Sequence, residues 1–288
     1  MTIRIHEADG TPYEHIIEIK EVLTKFEIPY NTKYKRLKRS KRQKERAAAA
    51  AGIDISGDAQ DDILLYCLGD VLQSEEEVRE WRLTDWSKED EEKMSQESYE
   101  WIRVDKDFEW ICKMSFGQPH YMFVSQLQQD NDVVAQVEVS MSTFIPSHEA
   151  KGLQAIKYLT LQQPFPIIST ILVRTLRDRR YFYGVRMLAA DALAKCAKED
   201  LDWIGLFHLE KAFQEFFCFP DSPMTRSNDF SDRTAYLIQC AIPKAIAKIR
   251  DGSGKAPMRV RQFFVDKLKF NDNTNNDVCV VGYALKKC

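Results

Sequence analysis

A chain of 288 residues, 44% hydrophobic and 11% aromatic, is long enough for two domains with ordinary cores. Its net charge of -3 hides a segregation: positive charge is concentrated in residues 33–46 and negative charge in residues 54–92, so local charge bears on partners more than the total does. There is no apolar run of membrane-spanning length and no basic-then-apolar leader pattern, and the seven scattered cysteines form no C-x-x-C or Cys/His cluster. The expectation is a soluble, intracellular chain with reduced thiols, no cofactor, no metal and no membrane partner.

Residues 3–6 and 13–18 are β-rich runs separated by Ala8-Asp9-Gly10-Thr11-Pro12, which predicts a hairpin. A third strand is predicted over residues 22–30, ending at Pro29. Two more, over residues 101–104 and 108–114, are joined by the polar turn Asp105-Lys106-Asp107. Three strands cannot bury a face alone, so the later pair is expected to complete a small β-sandwich across an insertion.

The insertion, residues 32–98, begins with a basic run, passes through an alanine tract and turns acidic. Such composition buries too little apolar surface to offset ordering entropy, so most of it is expected to be mobile and disordered. Two apolar islands interrupt it: Ile63 to Leu68 with Val71 and Leu72, and Val78, Trp81, Leu83 and Trp86. These predict short elements that dock onto either the chain's own surface or a partner.

Beyond Gly117, Gln118 and Pro119 the apolar period becomes helical, with Phe123, Val124 and Leu127 on one face. Helices are predicted over residues 132–145, 150–162, 166–178, 185–198, 203–218, 230–250 and 256–270, with prolines at most breaks and Pro243 inside one helix, where a kink is expected. Val185-Arg-Met-Leu-Ala-Ala-Asp-Ala-Leu193 has the form of the second helix of a HEAT repeat, and residues 133–142 align with it loosely. The fold class read from these signals is α+β and multidomain. Residues 1–31 and 99–118 form the β-sandwich, 32–98 the charged insertion, and 119–288 a HEAT-like α-solenoid that offers surface rather than a deep pocket. The first strand starts almost at residue 1 and the last helical pattern runs to residue 288, so the chain is expected to be a fragment of a longer protein.

Catalytic constellations are scarce. The five histidines form no H-E-x-x-H, there is no G-x-S-x-G and no phosphate loop, and residues 271–277 lack the ligand set of a calcium loop. No catalytic, cofactor-binding or small-molecule site is predicted. Lys33, Lys35, Arg36, Lys38, Arg39, Lys41, Arg42, Lys44 and Arg46 can neutralise phosphates, serve as a nuclear address, or simply flank the insertion in solvent. Arg174, Arg177, Arg179 and Arg180 either complement a helix dipole or, with Trp81 and Trp86, bind a partner. Phe213, Phe216, Phe217 and Phe219 form a stripe at helical spacing that reads first as core.

Several strings carry a resemblance: DGTPYEHIIEIKE at residues 9–21, IPYNTKYKRLKR at 28–39, EWIRVDKDFEW at 100–110, DNDVVAQVE at 130–138, and the helix over 181–195. They resemble the TBP-associated factor 2 family, the aminopeptidase-like subunits of the general transcription factor TFIID. The resemblance implies a β-sandwich third domain followed by a HEAT-like fourth domain, with the peptidase-like domain lying upstream of this sequence. It further implies a nuclear, non-catalytic scaffold that helps recognise the core promoter at the initiator and assemble the RNA polymerase II preinitiation complex. Other TBP-associated factors are the implied partners, and the basic string at residues 33–39 is the candidate for promoter DNA. The rival reading is a non-catalytic part of an active zinc metallo-aminopeptidase.

Overall fold

The computed structural model describes residues 1–7, 11–31, 68–107, 109–110, 117–138 and 166–270. These fall into two compact units. The first contains residues 1–31 and 86–136, and the second contains 68–85 and 166–270.

In the first unit, β1 (Thr2–Glu7) and β2 (Pro12–Ile16) form the predicted hairpin, with Thr2 opposite Ile16 and His6 opposite Pro12. On its other side β1 pairs antiparallel with β3 (Tyr99–Val104), giving a three-stranded sheet of order β2-β1-β3. The strand expected over residues 22–30 does not form. This run lies outside the sheet, with Val22 and Leu23 exposed, although β2 and β3 each leave an outer edge unpaired among the described residues. Asp105 ends β3 in a left-handed turn (φ 53°), and its carboxylate accepts the backbone N–H groups of Glu109 and Trp110. Most of the strand expected over residues 108–114 lies outside the described residues, and no strand forms at 109–110.

The second half of the insertion, residues 68–98, carries short helices, as expected at its apolar islands and against its bulk composition. Ser74 caps α1 (Glu75–Glu80) in a capping box with Glu77, and Ser87 caps α2 (Lys88–Gln96) through the Asp90 N–H. Local capping and the acidic first turns stabilise helices here that bulk composition argues against. Between the sheet and α3 (His120–Gln129) lies a core of Trp101, Tyr121 and Met122, with Trp86, Met94 and Tyr99 packed around it. Thus α3, which the sequence assigns to the helical part, packs with the sheet. α4 (Val133–Glu138) follows it, and the helix expected over 150–162 lies outside the described residues.

The second unit holds α5 (Pro166–Arg177), α6 (Tyr183–Lys195), α7 (Ile204–Phe217), α8 (Arg233–Ile246) and α9 (Met258–Lys269). Four fall within the predicted helical spans, α6 begins two residues ahead of the span 185–198, and α8 continues through Pro243 near its C-terminal end. α6 packs against α5, α7 and α8, as its face of Val185, Ala189, Ala192, Leu193 and Cys196 requires. Its Arg186 is also buried, donating to the carbonyl of Leu176 in the last turn of α5.

Candidate partner-binding surfaces

Residues 69–84 lie as a strap on α5 and α7, and the helices meet its backbone with side chains. Asp178 accepts the Gly69 N–H at 2.7 Å, Arg174 donates to the Leu72 carbonyl at 3.3 Å, and Thr170 accepts the Thr84 N–H at 3.0 Å. Lys211 reaches both the carbonyl and the carboxylate of Glu80, the latter at 2.7 Å. Leu72, Trp81 and Leu83 are buried, whereas α1 between them buries no residue. The strap is therefore held by three apolar anchors and a set of polar contacts to its main chain.

Trp81 is the deepest anchor. The Arg177 guanidinium lies 5.4 Å and the Lys211 ammonium 5.1 Å from its ring centroid, within cation–π range. Its carbonyl receives His208 Nε2 at 2.7 Å, while Nδ1 of the same ring lies 2.7 Å from the Ser169 hydroxyl. A carbonyl only accepts, so Nε2 carries the proton, and in the neutral ring that burial favours Nδ1 accepts from the Ser169 hydroxyl. Burial holds His208 down at about 4 despite the favourable bond to Trp81. Two charges complete the seat: burial alone would raise Asp178, but Arg180 and the N–H groups of Arg180 and Gly69 hold its carboxyl below the usual range. Hydrogen bonding to Lys211 likewise lowers Glu80.

The neutral His208 makes the strap sensitive to acid. Between the ordinary imidazole value of 6.5 and about 4, the released segment leaves His208 free to take up a proton that the docked segment refuses. Docking is thus fully stable above about 6.5 and weakens as pH falls, by up to about 1.4 kcal/mol per pH unit. Hydrogen exchange corrected for intrinsic rates is expected to show the amides of residues 81–84 losing protection by more than tenfold between about pH 7 and pH 5. A His208→Gln variant, which cannot titrate, should flatten that dependence.

The sequence-predicted residues are placed as follows. Lys33, Lys35, Arg36, Lys38, Arg39, Lys41, Arg42, Lys44 and Arg46 lie outside the described residues. Trp81, Arg174 and Arg177 converge on the strap's seat, with Arg177 also paired to Glu215. Arg180 clamps Asp178 through Nε at 3.0 Å and Nη2 at 2.7 Å, while Arg179 is exposed. Trp86 belongs to the other unit and packs beside Trp101. In the phenylalanine stripe, Phe213 is core and meets Phe217 and Phe263, but Phe219 is exposed. Sequence reasoning missed Ser169, Thr170, His208 and Lys211. The signal available was polar side chains interrupting the apolar faces of Ile168, Leu172, Leu206 and Leu209, since buried polar groups there need partners.

Lys211 also borders a cleft of about 460 Å³ between α7 and α9, where Phe207, Gln214, Phe263 and Lys267 face one another. Arg259 pairs with Glu210 at 2.5 Å on its wall, and Lys267 donates to the Pro223 carbonyl at 3.1 Å. Of its other charged groups, Lys211 pairs with Glu80 and Asp266 accepts from Gln262. Among the described residues no group of three or more His, Cys, Asp or Glu side chains is arranged to hold a metal.

The described residues thus define a small antiparallel β domain followed by packed helices that seat an extended segment of their own chain. One family model, described as the TAF2 Ig-like domain, matches residues 1–119, and another, described as TAF2-like TPR repeats, matches residues 120–284. The chain belongs to this TAF2 family. It is 48% identical over 277 residues to transcription initiation factor TFIID subunit 2 of Schizosaccharomyces pombe, covering 96% of this chain and 22% of that protein. It is 41% identical over 280 residues to the subunit of the same name from Saccharomyces cerevisiae, covering 96% and 19%. The Gallus gallus subunit is 27% identical over 279 residues, covering 96% and 19%. The chain thus spans about a fifth of the length of these curated relatives. The family model describes the helical part as TPR repeats, where the sequence pattern suggests HEAT; both repeat types stack α-hairpins through small apolar faces, which the alanine-rich α6 supplies equally well.

Proposed function

We propose that this chain is a non-catalytic scaffold segment of a TFIID subunit, acting in the nucleus in core-promoter recognition at the initiator and in preinitiation complex assembly. The observation that carries the reading is the 48% identity over nearly the whole chain to a TFIID subunit 2. The Ig-like domain and a solenoid of helical repeats supply extended surface for other TBP-associated factors, and no small-molecule substrate is part of the role. Trp86, Arg179 and the seat around Trp81, Arg174, Arg177 and Arg180 are the candidate contacts on that surface. Affinity capture from nuclear extract with the folded chain as bait tests the proposal: mass spectrometry should recover TBP-associated factors, and recovery of none would sink it. The rival, a non-catalytic part of an active zinc aminopeptidase, is separated by assaying the intact parent protein, where chelator-sensitive peptide turnover would decide for the rival.

Promoter DNA is the second proposed partner, through the basic run at residues 33–46. Binding by such a run is expected to be weak, nearly blind to sequence and strongly weakened by salt, because it rests on counterion release rather than base contacts. Electrophoretic or anisotropy titrations should lose the binding when residues 33–46 are deleted. Undiminished affinity in the deletion would place DNA contact elsewhere.

A further inference from the structure

We propose that the seat of residues 69–84 on α5 and α7 is a peptide-binding site, for which the strap is a tethered ligand and an acidic, tryptophan-bearing segment of a partner protein is the competing occupant.

Recognition at this seat is of the kind that an exchangeable peptide needs. The polar contacts go largely to the strap's main chain: Gly69 and Thr84 donate through N–H, and Leu72, Glu80 and Trp81 accept through their carbonyls. Any extended segment presents such groups, so identity is read by side chains: the apolar anchors Leu72 and Leu83, an aromatic ring set against Arg177 and Lys211, and a carboxylate just before it on Lys211. Charge complementarity favours the same class: residues 68–85 carry six carboxylates against Arg79 and Arg82. The seat offers Arg174, Lys211 on Glu80 and Arg177 shared with Glu215, its carboxylates Asp178 and Asp202 being taken by Arg180 with the Gly69 N–H and by Arg82.

The strap is also built to let go. Leu72 (φ 59°) and Arg82 (φ 49°) hold left-handed backbone conformations that cost a non-glycine residue energy, the first at an anchor itself and the second between the anchors Trp81 and Leu83. α1 links the anchors without burying a residue of its own. In place of a continuous apolar face, the strap relies on its tether, which keeps it near the seat at an effective concentration on the order of mM. A free peptide of the same chemistry must exceed that concentration to compete with it.

The test uses a fluorescein-labelled synthetic peptide of residues 68–85 and the whole chain. Fluorescence anisotropy should show the peptide binding the W81A chain at least tenfold more tightly than wild type, because the tethered competitor is disabled. Adding K211E to W81A should abolish binding, as should the W81A change in the peptide. Should W81A compromise folding, protease sites inserted between Cys67 and Leu68 and between Asp85 and Trp86 leave every contact intact until cutting, after which labelled peptide should exchange into the seat. Failure of the cut chain to take up peptide, or equal binding to wild type and W81A, would overturn the proposal. A concentration-dependent dimer of wild type that W81A abolishes would also overturn it, in favour of strap exchange between two copies. The inference stands independently of a role in TFIID.

Discussion

Trp81→Ala is expected to free the strap and to cost about 3–5 kcal/mol, the range for truncating a buried aromatic side chain. Trp81 is 2% exposed and is the largest side chain the strap buries, so the change removes the main apolar contact together with both cation–π partners. It also loosens the hold on the backbone. Without the ring, the Trp81 carbonyl is no longer fixed over His208. Because few other apolar groups of the strap are buried, the loss should appear first as local opening rather than global unfolding. Amide exchange at residues 78–84 should accelerate about a hundredfold, as 3 kcal/mol implies, while α6 amides change little. By contrast, Trp110→Ala, at a ring more than half exposed, should fall within about 0.5 kcal/mol of wild type.

That contrast marks what could be read from the residues alone. An apolar island in an acidic stretch identifies Trp81 as a residue with a docking partner, because exposed tryptophan in so polar a context would go uncompensated. It does not identify the partner: His208 lies 127 residues away, and nothing in local period or composition couples the two. The five described helices of the second unit were legible because their apolar faces and proline boundaries are local signals. The strand expected over residues 22–30 failed for the opposite reason. A β-rich run becomes a strand only where pairing also buries its apolar side chains, and here β3, arriving from beyond the insertion, takes the place beside β1 while Val22 and Leu23 stay exposed. Arg186 shows an intermediate case: the V-R-x-x-A pattern announced a packed helix, but the arginine's role in binding the last turn of α5 appears only when the helices are brought together.

Gly205→Ala is expected to be the most damaging single methyl in the helical unit. The turn from α6 to α7 passes through the three-residue 3₁₀ segment Glu199–Leu201 and two left-handed residues, Asp202 (φ 50°) and Trp203 (φ 54°), which press the first turn of α7 against the end of α6. A Cβ at Gly205 would fall on the Leu193 carbonyl oxygen and lie 2.8 Å from both the Ala197 nitrogen and the Cys196 carbonyl carbon. These are backbone atoms of a helix end and cannot swing aside as a side chain would. The two helices must separate, and Leu193, Ala197 and Leu206, all buried, lose contact together. Overpacking of this kind costs 1–3 kcal/mol where side chains can yield, so a backbone clash should reach about 3 kcal/mol or more. For a unit of this size that lowers the thermal midpoint by roughly 10 °C. Calorimetry on Gly205→Ala beside Gly252→Ala decides the matter, since the second site has open space around it and should move by less than about 0.5 kcal/mol. Equal midpoints for the two variants would mean that the α6–α7 crossing is looser than this geometry requires, and the strap, seated on α5 and α7, would then rest on a yielding base.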